Sequence, residues 1–323
     1  MFCLISCNKD FLKDYDTEEL FATPTTAELN DVLTDWQSRD LSPSNYTEEA
    51  VYPVGGNAVL KMVSFNVSGN KEYGALLIPP SVEGMPVRMW IGGFGYDVTM
   101  NSINIVFDTT ASDHPFIFAV PALRGQWLSV RVNGIEYTSP VSEGNHCDAF
   151  DGATDDAIAF LNIIDSTEVK SDINRTGVRG GSRGATVAML MAERDERVKL
   201  AVSVAGPVNM IELTSKSEND ETYQCQFLDD LVNGNETIDQ ARHKMIASSP
   251  YFFSEYLPPT QLHLAAEDDI VPVSQGEDLN EKMNESGLGG PLELFIYEGR
   301  DHSNIATNNS ELEERIQSFF SQL

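Results

Sequence analysis

Basic residues are scarce in this chain. Lysine and arginine total 21 against 50 aspartates and glutamates, a formal net charge of −29 at pH 7. A surface of that sign repels the phosphate backbone of nucleic acid, so DNA and RNA are excluded as partners. Long apolar runs are missing as well, since no stretch reaches the roughly 18 residues that cross a bilayer as a helix. Histidine (5) and cysteine (4) are few and nowhere grouped as a ligand set. Neither a metal nor an organic cofactor is therefore implied. What remains is ordinary for a globular protein: 323 residues, 41% hydrophobic and 22% charged, enough for one sizeable core without a disulfide scaffold. The acidic excess reads as a solvated surface and names no substrate.

Two of the four cysteines, Cys3 and Cys7, stand in the opening "MFCLISC". Leu4, Ile5, Ser6 and Cys7 resemble a bacterial lipobox, which implies export and a lipid on Cys7 as the only membrane attachment. The alternative is a short apolar tail on a cytoplasmic protein. Residues 1–50 are otherwise acidic and rich in Thr, Ser and Asp, and read as a tether with one amphipathic helix near Glu28 to Trp36. In an exported chain Cys147 and Cys225 could pair, although spacing alone does not bring them within bonding reach.

From residue 51 the pattern is that of a catalytic domain running to the C-terminus. "AVLKMVSFNV" and "EYGALLIPP", joined at Gly69 and Asn70, read as an antiparallel hairpin. Strands and helices then alternate, which predicts a mainly parallel, doubly wound α/β sheet with helices on both faces. "PVRMWIGG", "PFIFAVPAL", "TGVRGGS", "VKLAVSVAG", "TQLHLAAED" and "LELFIYEG" supply the strands. "DDAIAFLNII", "ATVAMLMAERD" and "SELEERIQSFFSQL" supply helices. The polar segment 207–250 interrupts the rhythm and reads as a lid or cap insertion.

The sharpest motif is Gly180-Gly181-Ser182-Arg183-Gly184, a GxSxG between a strand and a helix. A sharp strand-to-helix turn holds its serine in a strained conformation, and flanking side chains would collide, hence the glycines. A serine hydroxyl needs a base, and the base needs a carboxylate, in the chain order Ser, acid, His. Of the five histidines, His114 and His146 precede Ser182, His243 lies in the insertion and His263 lies inside a strand. His302, just after the last strand, is left. Three adjacent carboxylates, Glu267, Asp268 and Asp269, follow "LHLAA" and compete for the acid. The oxyanion donors should be the backbone N–H of Arg183 and one from "WIGGFGYD", where Phe94 is the choice among Gly92, Gly93 and Gly95. Gly93, Gly95 and Gln126 are candidates for the substrate pocket.

"GGFG", "VPALRGQ", "GGSRGA", "AAEDDIVP" and "YEGRDHSN", in this order over residues 58–322, resemble the prolyl oligopeptidase and acetyl xylan esterase branch of the α/β hydrolases. The resemblance implies the α/β-hydrolase fold and a Ser-His-Asp mechanism. Relatives carry D-x-x-V-P at the acid loop, which Asp268 matches and Asp269 misses by one residue. Phe94 stands where the esterases have tyrosine, and Gly92 where a histidine is usual. The family's large peptidases place a β-propeller before the catalytic domain, and only the residues up to 57 precede the first strand here. The expected activity is therefore hydrolysis of a small-molecule or carbohydrate ester, an esterase or deacetylase. A peptidase with the same triad is the first alternative, and a binding module that has lost catalysis is the second. Oligomeric state is not readable from these features.

Overall fold

The computed structural model describes residues 11–54, 57–80, 83–93, 97–100, 116–132, 135–168 and 170–323. Among the described residues twelve strands form a nine-stranded sheet and a small three-stranded one. The first three, β1 (Ser44–Pro53), β2 (Val59–Val67) and β3 (Asn70–Ile78), form an antiparallel meander. The β2–β3 turn lies at Ser68 and Gly69, both at positive φ (50° and 87°), with Val67 paired to Asn70. A two-residue hairpin of type I′ needs left-handed backbone at both central positions. That places the turn one residue earlier than composition suggested.

The parallel part of the large sheet runs β6 (Ile117–Ala122), β4 (Met85–Ile91), β9 (Ser171–Gly181), β10 (Val198–Val204), β11 (Thr260–Ala265) and β12 (Leu292–Tyr297). Strands β4, β6, β10 and β11 are buried along nearly their whole length because both faces are covered, whereas β9 carries the polar residues Asp172, Asn174, Arg175 and Arg179. On one face lie α2 (Asp151–Thr167), α3 (Arg183–Arg194) and α6 (Ser274–Ser286), which bury Phe160, Ile164, Val187 and Leu279 against Met89, Ile91 and Val178. On the other, α7 (Ser310–Phe320) buries Leu312, Ile316 and Phe320 against Leu200, Val202 and Ala265. The small sheet, β5 (Asp97–Met100), β7 (Trp127–Val132) and β8 (Ile135–Thr138), packs Leu128 and Val130 on Leu60, Met62 and Leu77.

The N-terminal segment, read from its polarity as a tether, is docked from residue 11 onward. Helix α1 (Thr26–Ser38) opens with a capping box between Thr25 and Glu28. Its Trp36 is buried, packs at a tilt on Phe253 at 4.5 Å between ring centroids and donates its indole N–H to Asp151 at 2.8 Å. Arg39 binds Asp151 and Asp155 at 2.7 and 3.0 Å. Strand β1 follows as the sheet's outer edge, and its Glu48 and Glu49 pair with Lys61 and Lys71. Charged edge strands of this kind give no apolar alternation to read.

Segment 207–250 is helical, with α4 (Met210–Lys216) and α5 (Ile238–Ala247) flanking shorter helical turns. Phe227, Leu228, Leu231 and Met245 from it share one apolar cluster with Leu20, Val32 and Trp36, so insertion and N-terminus are packed together. Cys225 of the insertion is disulfide-bonded to Cys147, with Cα atoms 5.2 Å apart. Among the described residues no helix is long and apolar enough to cross a membrane. Cys3 and Cys7 lie outside the described residues.

Candidate active site

The C-terminal edge of the parallel strands is where loops converge in such sheets. Strand β9 ends at Gly181, α3 begins at Arg183, and Ser182 between them has φ 52° and ψ −127°. A non-glycine residue in this region stores on the order of 1–3 kcal/mol of strain. Neighbouring backbone holds it there: Ser182 N–H donates to the Val204 carbonyl and Ala185 N–H to the Ser182 carbonyl, both at 2.9 Å. The glycines allow the turn to close. A Cβ on Gly180 would stand 1.9 Å from the Gly184 carbonyl oxygen, and one on Gly184 2.2 Å from that of Ile91. Gly181, by contrast, has open space around its missing Cβ.

His302 follows β12 on a loop folded by its neighbours. The Asp301 carboxylate accepts the N–H groups of Ser303 and Asn304 at 2.9 and 3.0 Å. Arg300 donates to the carbonyls of Asn304 and Thr307 at 3.1 and 2.8 Å. Glu267 N–H donates to the Arg300 carbonyl at 2.9 Å, which joins this loop to the one after β11. Of the three carboxylates on that loop, Asp268 is turned inward, and Glu267 and Asp269 are exposed. Asp268 Oδ2 is 2.8 Å from His302 Nδ1, and His302 Nε2 is 2.8 Å from Ser182 Oγ. The three side chains thus form one hydrogen-bonded chain, with Asp268 and His302 34 residues apart in sequence and Ser182 and His302 120 apart. Ser182 and His302 stay partly open to solvent, and Asp268 is buried.

The remaining histidines are engaged elsewhere or lie outside the described residues, as His114 does. His263 is buried in β11, with Nδ1 2.9 Å from the Tyr297 hydroxyl and Nε2 3.2 Å from Gln261, and burial pushes it down to about 3. It is neutral at physiological pH. His243 sits 3.6 Å from Asp35 and links α5 to α1.

Phe94 and Gly95 lie outside the described residues. Arg183 is the first residue of α3, so its backbone N–H belongs to the positive end of the helix. Gly93 is present beside the serine turn, its Cβ position 3.5 Å from that of Ser182. Gln126 is buried, and its side chain grips the Gly93 carbonyl at 3.0 Å while accepting the Leu123 N–H at 3.2 Å. Its amide therefore braces a loop, a role that composition does not signal. The buried Arg183 guanidinium, also missed from sequence, donates to the same carbonyl at 3.2 Å. An arginine inside a motif of small residues is the clue that could have drawn notice. Tyr223, from the insertion, is raised to about 12 by burial, with the carboxylates of Asp220 and Asp268 adding to the shift.

Among the described residues one donor group has the spacing of metal ligands: His146, Cys147 and Cys225, with their atoms within 4.8 Å. In this structure its two sulfurs are bonded to each other.

The family model described as "Prolyl oligopeptidase family" matches residues 148–323, more than half of the chain and the part that holds Ser182, Asp268 and His302. The chain belongs to the prolyl oligopeptidase family. Like that family, it is a serine hydrolase of the α/β-hydrolase type. No curated protein matches it. Among solved structures, acetyl xylan esterase 1 from Thermoanaerobacterium sp. JW/SL YS485 aligns with TM-score 0.65 and 16% identity over 94% of this chain and 92% of that one. The acetyl xylan esterase from Paenibacillus sp. R4 gives 0.66 and 15% over 95% and 98%. Porphyromonas gingivalis dipeptidyl peptidase 4 gives 0.57 and 16% over 84% of this chain but 41% of its own. At such identities the likeness shows the α/β-hydrolase fold.

Proposed function

We propose that this family member is a carboxylic ester hydrolase, an esterase or deacetylase for small-molecule or carbohydrate esters, with Ser182, His302 and Asp268 as its catalytic triad. The observation that carries the reading is the pair of 2.8 Å contacts that run from Ser182 Oγ through His302 to Asp268. His302 Nε2 takes the hydroxyl proton as Ser182 Oγ bonds to the ester carbonyl carbon. Asp268 holds the imidazole in the right tautomer and stabilises its charged form. The Arg183 backbone N–H, with that of Phe94 carried over from the sequence, receives the oxyanion. The bond to the leaving alcohol then breaks, and His302 returns the proton to it. Water, deprotonated by His302, attacks the acyl-serine and releases the carboxylic acid and free Ser182.

Ester over amide is favoured by the match to two acetyl xylan esterases over 92% and 98% of their chains. The family match and that same peptidase support the second reading, a peptidase with the same triad. The disulfide and the lipobox-like Cys7 favour an exported enzyme. Kinetics on acetyl, longer acyl and feruloyl esters, acetylated xylo-oligosaccharides and peptide anilides test the proposal, with Ser182→Ala as control. The highest kcat/KM is expected on an acetyl ester. A higher kcat/KM on a peptide anilide would overturn it in favour of the peptidase.

A further inference from the structure

The carbonyl oxygen of Gly93 is gripped from two sides. Gln126 Nε2 donates to it at 3.0 Å and Arg183 Nη2 at 3.2 Å, and the same Nη2 lies 3.4 Å from the Gly92 carbonyl. Both side chains are buried, at 1% and 2% exposure, so water does not compete for these bonds. Gln126 cannot turn its amide over without losing the Leu123 N–H that its oxygen accepts. The gripped residue lies beside the serine turn: a Cβ on Gly93 would stand 3.2 Å from the Gly181 carbonyl oxygen and 3.5 Å from Ser182 Cβ.

We propose that Arg183 and Gln126 are positioning residues for hydrolysis, fixing the Gly92–Gly93 backbone so that this loop presents a donor to the oxyanion formed on Ser182. The inference rests on the reading of Ser182 as nucleophile. Two successive glycines have no side chain to pack, and backbone so free costs entropy whenever it is ordered. Stabilisation of an oxyanion requires donors already in place, within a few tenths of an ångström, before the charge develops. Two donors on one carbonyl oxygen remove the freedom of its peptide unit. In a trans peptide the C=O and N–H point in opposite directions, so holding the Gly92 oxygen also orients the N–H of Gly93. A cationic donor also makes the stronger bond. Burial pushes the Arg183 guanidinium down to about 10, a penalty that an apolar side chain in its place would not carry.

The test compares wild type with Gln126→Glu, Arg183→Met and Arg183→Lys for turnover of an aryl acetate and for binding of an alkylboronic acid, which forms a tetrahedral adduct on the serine. Gln126→Glu keeps the size and the acceptor for Leu123 but loses the donor to Gly93, so it carries the test even where Arg183→Met does not fold. Gln126→Glu and Arg183→Met are expected to lower kcat about tenfold to a hundredfold with KM nearly unchanged. The boronate should weaken by the same factor, and Arg183→Lys should recover part of both. Folded Gln126→Glu with kcat and boronate affinity close to wild type, or with KM raised and kcat intact, overturns the proposal. Failure of the wild-type chain to turn over the ester and bind the boronate overturns instead the reading of Ser182.

Discussion

Asp268 and His302 share a contact that uses only half of the carboxylate. Oδ2 lies 2.8 Å from His302 Nδ1, and Oδ1 accepts the N–H groups of Ile270 and Val271 at 2.9 and 2.8 Å. The backbone thus locks the rotamer of Asp268, and Asp268 in turn holds the orientation of the His302 ring.

Asp268→Asn should therefore lower kcat by roughly 10³–10⁴, as an amide in this place favours the wrong imidazole tautomer. Asp269→Asn and Glu267→Gln, both exposed on the same loop, should stay near wild type. Steady-state kinetics on an acetyl ester decide it. A large loss at Asp269 with none at Asp268 would reassign the acid.

The two glycines that precede Ser182 should respond in opposite ways. Gly180→Ala drives a methyl into the Gly184 backbone, which cannot yield as a side chain would, and should destabilise the fold by about 1–3 kcal/mol or more. Gly181→Ala meets nothing and should leave the melting temperature nearly unchanged. Thermal unfolding of the two variants measures the contrast, and equal losses would mean that the turn is packed differently.

The Cys147–Cys225 bridge closes a loop of 78 residues and ties the insertion to the segment before α2. Gln226 fastens the same junction, accepting the Ala149 N–H at 2.8 Å and donating to the His146 carbonyl at 3.2 Å. Loss of the bridge, by Cys147→Ser with Cys225→Ser or by a dithiol reductant, should cost about 2–5 kcal/mol. Denaturant unfolding with and without reductant tests this, and identical midpoints would show that the sulfurs are not paired in solution.

Glu72 is buried in β3, where burial first and the Asp156 carboxylate second push it up to about 10. Its unfolded value is near the ordinary ~4.3. The folded state therefore binds more protons, and this residue's contribution is full below that value and lost as pH rises toward 10. Glu72→Gln should leave stability at pH 5 nearly unchanged and flatten its alkaline decline. Melting temperatures between pH 5 and 9 report it, and parallel curves for variant and wild type would contradict it.

Much of the core was legible because buried parallel strands and amphipathic helices write their periods into the sequence, as β10, β11 and α3 do. Ser182, Asp268 and His302 could be named from the sequence because residues of these types follow strands in the chain order that such a triad requires. What was hidden depends on neighbours. Glu267, Asp268 and Asp269 differ in burial, which no local pattern encodes. Strand β1 carries acidic side chains whose partners, Lys61 and Lys71, come from β2 and β3. The docking of residues 11–38 rests on a few large side chains such as Trp36 in an otherwise polar stretch. The hydrogen bond of Gln126 to the Gly93 backbone joins residues 33 apart in sequence, which no local pattern writes.

The central claim, that Ser182 is the nucleophile, meets its most direct test in covalent labelling with a fluorophosphonate, which reports only a serine that a neighbouring base has activated. Peptide mapping by mass spectrometry should find a single adduct on Ser182 in the wild-type chain and none in Ser182→Ala, with labelling slowed strongly in His302→Ala. An adduct on another residue, or an unlabelled Ser182 in folded protein, would contradict the account.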